Sequence, residues 1–513
     1  MKYPIGIQDF EKIRKDGYVY VDKTAYIYKL ATEGAYYFLS RPRRFGKSLL
    51  ISTMEAYFKG KKELFEGLSI AKLEKKWRQY PVLHLDLNSE KYDTVAALYN
   101  ILDVTLSRWE DVYGKNEVEK TVPSRFMGVI RRAAEKTGQR VVILIDEYDK
   151  PMLQAIDNDR LQDEYRNILK AFYSVLKTCD AYIQFAFLTG VTKFGKVSVF
   201  SDLNNLQDLS MLPQYVDICG MTEEDLHHYF DGSISELAAS NEMTNEQCYA
   251  ELKSMYDGYH FFPETVGIYN PFSVLNTMQH KVFNAYWFET GTPTFLVTLL
   301  KKHHYPLEQM EQVQTTADVL NSIDTLSDNP IPLIYQAGYL TIKGYDKRFK
   351  LYQLGFPNKE VEEGFMQYLL PFYCSYSNVD APFQISQFVR EVEAGETEKF
   401  LLRLTSFFAD TPYELVKDLE NHYQNVLFIL TKLLGFYVKA EYHTSAGRID
   451  LVLQTGQYTY IMEFKLDGTA EEALAQINCK DYPLPFVTNG TTLVKIGLNF
   501  SKETRNIEKW VIQ

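Results

Sequence analysis

Three consecutive residues, Gly46-Lys47-Ser48, have the types and the order that bind phosphate groups. They follow an apolar, aromatic run, Tyr36 to Leu39, and they precede a helical pattern of apolar residues. The N–H groups of such a loop and of the helix start present partial positive charge to phosphate oxygens. Lys47 would reach the β- and γ-phosphates of a nucleotide, and the Ser48 hydroxyl would bind Mg²⁺. A helix start that holds no ligand is the alternative for the tripeptide alone.

Two acids, Asp146 and Glu147, close a second run far downstream, Val141 to Ile145. That run contains only β-branched residues and Leu, which predicts a strand buried on both faces of a parallel sheet. Ligands of open α/β sheets bind at the carboxyl ends of such strands. Asp146 would therefore help to hold Mg²⁺, and Glu147 would polarise the attacking water as a general base. Acids that merely decorate a helix N-terminus are the alternative.

The next apolar run, Tyr182 to Leu188, predicts another buried strand, and two threonines follow it. In ATPases with an additional central strand, a polar residue at this point senses the γ-phosphate. Thr189 and Thr192 are the candidates for that role. An ordinary turn threonine is the alternative for each of them.

A second group of chemical residues lies near the C-terminus, where Asp450 and the sequence Glu463-Phe464-Lys465 fall on two successive predicted strands. Side chains alternate along a strand, so Glu463 and Lys465 should share one face while Phe464 enters the core. A hairpin would place Asp450 beside them, and two carboxylates there can share Mg²⁺. Lysine on that face could orient the water that attacks a phosphodiester. An exposed hairpin with a Glu/Lys pair is the alternative.

A helical stretch after these strands, Glu471 to Asp481, offers Gln476 and Lys480 one turn apart. Both are predicted to contact the phosphate backbone of a nucleic acid. The helical segment Glu414 to Leu434 and the strand Tyr437 to Tyr442 are predicted to precede the hairpin.

Further elements must position the first group of residues. The sequence predicts strands over Tyr80 to Leu87 and Tyr215 to Ile218, and a long helix over Leu153 to Thr178. Tyr335 to Lys343 and Phe349 to Leu354 are predicted to form a β-hairpin like the wing of a winged helix, or another small β-ribbon. One departure is visible, because the usual phosphate loop, G-x-x-x-x-G-K-[ST], has glycine where this chain has Arg41.

The composition limits the class of protein. A chain of 513 residues exceeds a single core, so two to four domains are expected. No apolar run approaches the ~18 residues of a membrane span, and no signal peptide is visible. Five scattered cysteines without a C-x-x-C pair argue against a disulfide framework or a zinc site and predict a cytoplasmic location. The formal charge of −12 disfavours a surface that is broadly coated with nucleic acid.

Taken together, these motifs resemble those of the bacterial AAA-ATPase-like family that carries a C-terminal PD-(D/E)XK nuclease-superfamily domain. The motifs that carry the resemblance in the first half of the chain are YVDKT (20–24), RPRRFGKS (41–48), LIDEYDKP (144–151) and LTGVTKFGKVSVFSDLNNL (188–206). Those in the second half are YDGYHF (256–261), YNPFS (269–273), GYLTIK (338–343), GRIDLVL (447–453) and EFK (463–465). The loop of this family looks like RPRRFGKS, so Arg41 departs from the general pattern and not from the family.

The resemblance implies an α/β protein: a P-loop ATPase with a parallel sheet, a helical and winged-helix lid, and a C-terminal α/β nuclease-like domain. The implied domains are an ATPase domain over 1–220, a lid over 221–356, a helical connector over 357–410 and the nuclease-like domain over 411–513. ATP and Mg²⁺ are the implied cofactors. The residues assigned to nucleotide are Arg43, Arg44, Phe45, Gly46, Lys47, Ser48, Leu49, Asp146 and Thr189, with Ser48 and Asp146 also on Mg²⁺. Those assigned to the nuclease are Asp450 and Glu463, both on Mg²⁺, and Lys465.

The implied function is that of an ATP-regulated DNA endonuclease in mobile-element or defence processes. The alternative is a nucleotide-dependent switch whose nuclease-like domain binds nucleic acid or a partner without cutting. A scaffold ATPase that does not act on nucleic acid is a third interpretation. If the ATPase site needs an arginine from a second copy, the protein would act as a homo-oligomer.

Overall fold

A computed structural model describes residues 1–193, 205–290, 296–297, 300, 305–311, 313–321, 329–373, 381–409, 419–435, 439–445, 448–466, 468–480, 482, 486, 490–501, 503–504 and 506–513. The chain divides into two compact units. The first comprises Met1–Gly291 and Gln312–Glu360, and the second comprises Thr292–Glu311 and Val361–Gln513. The finer division into four domains stays a prediction.

A parallel sheet forms the centre of the first unit. Its strands are β1 (Tyr36–Ser40), β2 (Val82–Asp86), β3 (Val141–Asp146), β4 (Ile183–Gly190) and β5 (Gln207–Asp208). They lie in the order β2-β3-β4-β1-β5, and every neighbouring pair is parallel. All residues of β1 and β3 are buried, as their apolar runs predict. Because the strands point the same way, the carboxyl ends of β1, β3 and β4 meet at one edge.

Helices cover this sheet and continue into the rest of the first unit. They are α1 (Phe10–Lys15), α2 (Thr24–Glu33), α3 (Lys47–Phe58), α4 (Ser69–Leu73), α5 (Val95–Tyr113), α6 (Val122–Thr137), α7 (Lys150–Gln154), α8 (Asp159–Thr178), α9 (Glu223–Ser240), α10 (Asn245–Tyr256), α11 (Pro271–His280), α12 (Tyr286–Thr290), α13 (Ala317–Asn321) and α14 (Ile331–Ala337). Helices α9, α10 and α11 share a second apolar core.

Two element predictions in this unit are wrong. The predicted strand Tyr215 to Ile218 is a turn that begins as a 3-10 helix over Pro213–Tyr215. The carbonyls of Tyr215 and Val216 there accept hydrogen bonds from a buried arginine rather than from a neighbouring strand. The predicted single helix Leu153 to Thr178 is two helices, because the side chain of Asn158 caps a new helix start by accepting from the N–H of Leu161.

A small antiparallel sheet completes the first unit. It consists of β6 (Val313–Thr315), β7 (Thr341–Asp346) and β8 (Leu351–Gly355) in the order β6-β8-β7. The predicted hairpin is confirmed in β7 and β8, while its first predicted residues, 335–337, end α14 instead.

The second unit contains a mixed sheet with helices. Its strands are β9 (Lys439–Ser445), β10 (Arg448–Gln454), β11 (Tyr458–Leu466), β12 (Thr492–Ser501) and β13 (Asn506–Ile512). The order is β13-β12-β11-β10-β9, and only β11 and β12 are parallel neighbours among these strands. Its helices are α15 (Lys359–Tyr373), α16 (Ala381–Glu393), α17 (Thr397–Ala409), α18 (Leu419–Gly435) and α19 (Ala470–Cys479). Residues 437–438 of the predicted strand Tyr437 to Tyr442 lie outside the described residues.

No helix among the described residues is both long enough and apolar enough to cross a bilayer. Four cysteines are described as free thiols: Cys179, Cys219 and Cys248 are buried, and Cys479 is exposed. The fifth, Cys374, lies outside the described residues.

Candidate functional site

The phosphate-binding loop connects β1 to α3, as predicted. Gly46 caps the N-terminus of α3 with φ = 95°, a left-handed conformation that favours glycine. Lys47 begins the helix, and its side chain is only 3% exposed. The ammonium group donates hydrogen bonds to the carbonyls of Arg41 at 3.1 Å and Pro42 at 3.3 Å. Lys47 is thus folded back across the mouth of its own loop, and Ser48 follows it in the first helical turn.

Arg41, at the position of the usual first glycine, is a buried structural residue. It is 1% exposed. Its guanidinium donates to the carbonyls of Ser40 and Ser210 at 2.9 Å each and to that of Tyr215 at 2.9 Å. It also lies 3.9 Å from the ring centroid of Phe261, a cation–π distance. Burial lowers the pKa of Arg41 to about 10, so the side chain remains a cation near neutral pH. The arginine side chain therefore anchors a loop that usually depends on glycine.

The acids at the end of β3 meet the loop and β4. Oδ1 of Asp146 accepts from the hydroxyl of Thr189 at 2.5 Å and from the N–H of Glu147 at 3.1 Å. Because both bonds reach Oδ1, Oδ2 is the oxygen that could face a cation. Oε1 of Glu147 lies 3.3 Å from the ammonium of Lys47. The structure thus brings together four residues that the sequence placed in one site.

Glu147 also has an uncommon backbone conformation. Its φ of 53° is in the left-handed region, where a residue with a Cβ is rarely found. Such strain concentrates at sites where the surrounding structure over-determines the conformation. Here the N–H of Tyr148 donates to the carbonyl of Thr189, which holds the turn after β3 against the end of β4.

A third acid, Asp149, was not predicted and is the partner of Thr192. Its carboxylate accepts from the N–H of Thr192 at 2.6 Å, from the Thr192 hydroxyl at 2.5 Å and from the N–H of Val191 at 3.2 Å. Burial, with the nearby charge of Glu147, raises the pKa of Asp149 to about 6. Of the two threonine candidates, only Thr189 contacts a predicted magnesium ligand. The second aspartate of the D-E-Y-D sequence was the one available signal.

A cavity of about 500 Å³ opens beside the loop. Its size is in the range of small-molecule sites. The cavity is lined by all seven loop residues that were predicted to bind nucleotide, 43–49, and by Glu147 and Lys150. Apolar side chains from outside the loop complete the lining: Ile5, Ile7, Val19, Val21, Met221, Phe230 and Leu275. One cavity thus combines a cationic, N–H-rich part with an apolar part, which matches a phosphate attached to an aromatic base.

Elements after the parallel sheet hold the exposed arginines of the loop. The indole N–H of Trp287 donates to the carbonyl of Arg43 at 2.9 Å, and the guanidinium of Arg44 lies 4.9 Å from the ring centroid of Phe272. Phe45 is buried edge-to-face against Tyr259 at 4.8 Å. Phe45 therefore stabilises the loop, whereas the Arg43 and Arg44 side chains are exposed.

The second predicted site lies on β10 and β11. In the antiparallel pairing of these strands, Asp450 is the direct partner of Glu463. The structure describes Asp450 by its backbone. Glu463 is fully buried, and its Oε1 lies 3.7 Å from the ammonium of Lys465, so the shared face is confirmed. Phe464 points to the opposite face, where its ring stacks on Phe500 with centroids 5.6 Å apart.

Helix α19 closes over this site. Its N-terminus carries a capping box in which the side chains of Thr469 and Glu472 each accept from the other's N–H. The ammonium of Lys465 donates to Oε1 of Gln476. Gln476 therefore positions the lysine, and its amide nitrogen remains the donor that could meet a phosphate. Lys480 is exposed at the end of the helix.

Gly497 on β12 permits this close approach. It is the parallel partner of Glu463. A Cβ at Gly497 would lie 2.1 Å from the carbonyl oxygen of Ala470 and 2.6 Å from the N–H nitrogen of Leu474. Any side chain there would push α19 away from β11, and Gln476 would move with the helix.

Carboxylate and hydroxyl oxygens at both sites are the ligand types that Mg²⁺ prefers. Ser48 and Asp146 supply them at the first site, and Asp450 with Glu463 would supply them at the second. Among the described side chains, which leave out that of Asp450, no group of three His, Cys, Asp or Glu residues is arranged to hold a metal ion. Mg²⁺ usually keeps several water ligands and binds protein through one or two carboxylates, so two protein ligands at each site are compatible with it.

Two family models match the two parts of the chain in which these residues lie. A family model described as a predicted AAA-ATPase matches residues 4–200, and one described as the PD-(D/E)XK nuclease superfamily matches residues 418–510. An uncharacterised protein in the vnfD 5′ region of Azotobacter chroococcum mcd 1 is 36% identical over 526 residues, which cover 100% of this chain and 99% of that protein. The Aeropyrum pernix ORC2 protein, solved with ADPNP and ADP, aligns with 65% of this chain and 87% of its own at 11% identity. Its TM-score of 0.24 is too low to support an inference.

Proposed function

Since this chain belongs to the family of predicted AAA-ATPases with a PD-(D/E)XK nuclease-superfamily domain, we propose that it hydrolyses ATP and cuts DNA with Mg²⁺ under the control of ATP. By the resemblance, it would act in mobile-element or defence processes. The proposal joins two chemically distinct sites, and each can be tested separately.

In the ATPase half, the loop and the apolar part of the cavity would hold the nucleotide. Lys47 would exchange the carbonyls of Arg41 and Pro42 for the β- and γ-phosphates. An ammonium group binds an anionic phosphate oxygen more strongly than a neutral carbonyl oxygen. That exchange would release Glu147 from Lys47 and leave it to accept a proton from the attacking water. Thr189 would keep Asp146 oriented toward the Mg²⁺ that Ser48 also binds. If a second copy must supply an arginine, ATP would also promote a homo-oligomer.

In the nuclease half, the register of Asp450 against Glu463, with Lys465 at 3.7 Å from Glu463, is the observation that carries the proposal. Mg²⁺ bound there would lower the pKa of a water molecule and offset charge on the phosphodiester. Lys465, held by Gln476, would orient the attacking water or balance the charge that develops on the scissile phosphate. Lys480, at the end of α19, would contact the DNA backbone.

Plasmid nicking tests the proposal. The full chain, with Mg²⁺ or Mn²⁺, should convert supercoiled plasmid to the open-circular form, and Glu463→Ala and Asp450→Ala should abolish this. Glu471→Ala is the matched control, since Glu471 is an exposed acid of the same unit that pairs with a surface lysine. Nicking that persists unchanged in Glu463→Ala would contradict the nuclease assignment. Adding ATP to wild type and to Lys47→Ala then measures regulation, because only wild type should respond.

One observation favours the alternative, a nucleotide-dependent switch that binds nucleic acid without cutting. Glu463 is fully buried and Lys465 is already bonded to Gln476, so the site could be closed to a metal ion. DNA binding that responds to ATP, with no nicking by any divalent metal, would support the switch and contradict the nuclease.

A further inference from the structure

The tip of the β7–β8 hairpin concentrates cations around an exposed aromatic ring. Its sequence is Lys347-Arg348-Phe349-Lys350, and all four residues are exposed. Phe349 is 61% exposed, which is high for a phenylalanine. This segment lies in the first unit, apart in sequence from every residue assigned to ATP or to the nuclease.

The hairpin holds the tip in one conformation. The carboxylate of Asp346 accepts from the N–H groups of Arg348 at 2.8 Å and Phe349 at 3.0 Å. Below the turn, the rings of Tyr345 and Tyr352 pack with centroids 4.7 Å apart. A preformed turn loses little conformational entropy when it binds a partner.

The charge of the tip is opposite to that of the whole protein. The only acid within the turn, Asp346, is engaged with backbone N–H groups, and Glu264 pairs with Lys347 at 2.8 Å. Arg348 and Lys350 form no ion pair in the described part of the chain, and with Lys347 the three cations outnumber the two nearby acids, Asp346 and Glu264. The Arg348 guanidinium lies 5.0 Å from the ring centroid of Phe349, so a flat cation and an aromatic face are presented together.

We propose that this hairpin tip is a DNA contact of the first unit, with Arg348 and Lys350 on backbone phosphates and Phe349 against a base. Cations beside an exposed aromatic ring suit nucleic acid, because the cations can bind backbone phosphates while the ring stacks on a base. The partner rests on the proposed function, but the contact does not require that the nuclease-like domain cut. The tip would retain DNA near the protein whether or not the C-terminal site is engaged.

Fluorescence anisotropy of the full chain tests this contact. Labelled duplex and single-stranded oligonucleotides of equal length, in EDTA and at several salt concentrations, separate the two forms of DNA without cleavage. Arg348→Ala/Lys350→Ala should weaken binding by roughly tenfold or more and reduce the dependence of log K on log salt by about 2, one unit for each lost phosphate contact. Phe349→Ser should weaken binding roughly fivefold or more, by loss of stacking.

Lys91→Ala/Arg160→Ala is the matched control, because it removes two cations that are 82% and 90% exposed elsewhere in the first unit. ATP turnover equal to wild type would show that each variant is folded. Wild-type DNA affinity in the tip variants, or tip-dependent binding to anionic vesicles but not to DNA, would overturn the proposal. Tip-dependent binding by a wild-type chain that nicks no plasmid with Mg²⁺ or Mn²⁺ would reject the nuclease assignment and keep this contact.

Discussion

The ammonium of Lys47 lies 3.3 Å from Oε1 of Glu147 and links the phosphate-binding loop to the end of β3. The same ammonium donates to two loop carbonyls. In this arrangement, the cation that should bind phosphate and the carboxylate that should activate water neutralise each other. Binding of the nucleotide and release of the Glu147 carboxylate from Lys47 would be a single event.

Glu147→Gln should separate ATP binding from hydrolysis. The amide keeps the size of Glu147 but cannot accept a proton from water, so hydrolysis should fall about 10²-fold or more. Binding of a fluorescent ATP analogue should be kept or strengthened, because Lys47 no longer has an acidic competitor. Lys47→Ala should instead weaken binding about tenfold or more, through loss of a charge-assisted contact. Equal loss of binding in both variants would refute this division of roles.

Thr189→Val should lower ATP turnover while ATP binding stays close to that of wild type. Valine preserves the shape of the threonine but removes the hydroxyl that holds Oδ1 of Asp146 at 2.5 Å. We expect a loss of about tenfold or more, as for outer-shell partners of metal ligands. Thr192→Val is the comparison, since Thr192 contacts Asp149 and should affect thermal stability more than turnover. The opposite ranking would move the sensing role to Thr192.

Restoring the usual glycine with Arg41→Gly should destabilise the protein. The change removes hydrogen bonds from at least three buried carbonyls and the cation–π contact with Phe261, which should cost about 3 kcal/mol or more. A marked fall in the thermal midpoint is the readout. Arg43→Gly, at an exposed side chain of the same loop, should lower it much less. Wild-type stability in Arg41→Gly would show that the loop needs no such anchor.

The buried carboxyl of Asp149 should make stability depend on pH. Its pKa is raised to about 6 from an ordinary value of 3.8, so the folded protein holds this proton more tightly than the unfolded chain does. The stabilisation is complete below pH 3.8 and is lost as pH rises through 6, with a total on the order of 3 kcal/mol. The Asp149→Asn variant has no carboxyl group at this position and therefore lacks this pH-dependent stabilisation. The midpoint difference, wild type minus Asp149→Asn, should therefore decrease between pH 4.5 and pH 7, and an increase would contradict the assignment.

Gly497→Ala should impair the nuclease site, although Gly497 is none of the residues assigned to cleavage. The new methyl group would lie 2.1 Å from a backbone oxygen of α19, so the helix must move away from β11 and Gln476 must release Lys465. Nicking should be lost, while ATP turnover is unchanged. Gly456→Ala is the control, because nothing lies within 4 Å of a Cβ at that turn. Normal nicking by Gly497→Ala would show that Gln476 does not position the lysine.

Local patterns in the sequence were sufficient for the elements that carry the chemistry. The apolar runs of β1, β3 and β4 identified buried strands, and strand alternation placed Glu463 and Lys465 on one face. Side-chain contacts between distant segments could not be read in this way. Tertiary structure determines three of these contacts: the hydrogen bonds that anchor Arg41, the pairing of Asp149 with Thr192, and the bond from Lys465 to Gln476. The strand predicted at Tyr215 failed for the same reason, since its carbonyls serve Arg41.

The anchoring of Arg41 also bears on how the protein folds. Its guanidinium binds the carbonyl of Ser210, which is 169 residues away along the chain. Closing so long a loop is slow, and parallel strands of high contact order form late. The phosphate-binding loop should therefore be among the last parts of its unit to become ordered. A nascent chain would have to emerge well beyond residue 216 before it could bind ATP, so the nucleotide would stabilise only a chain whose first sheet is already complete.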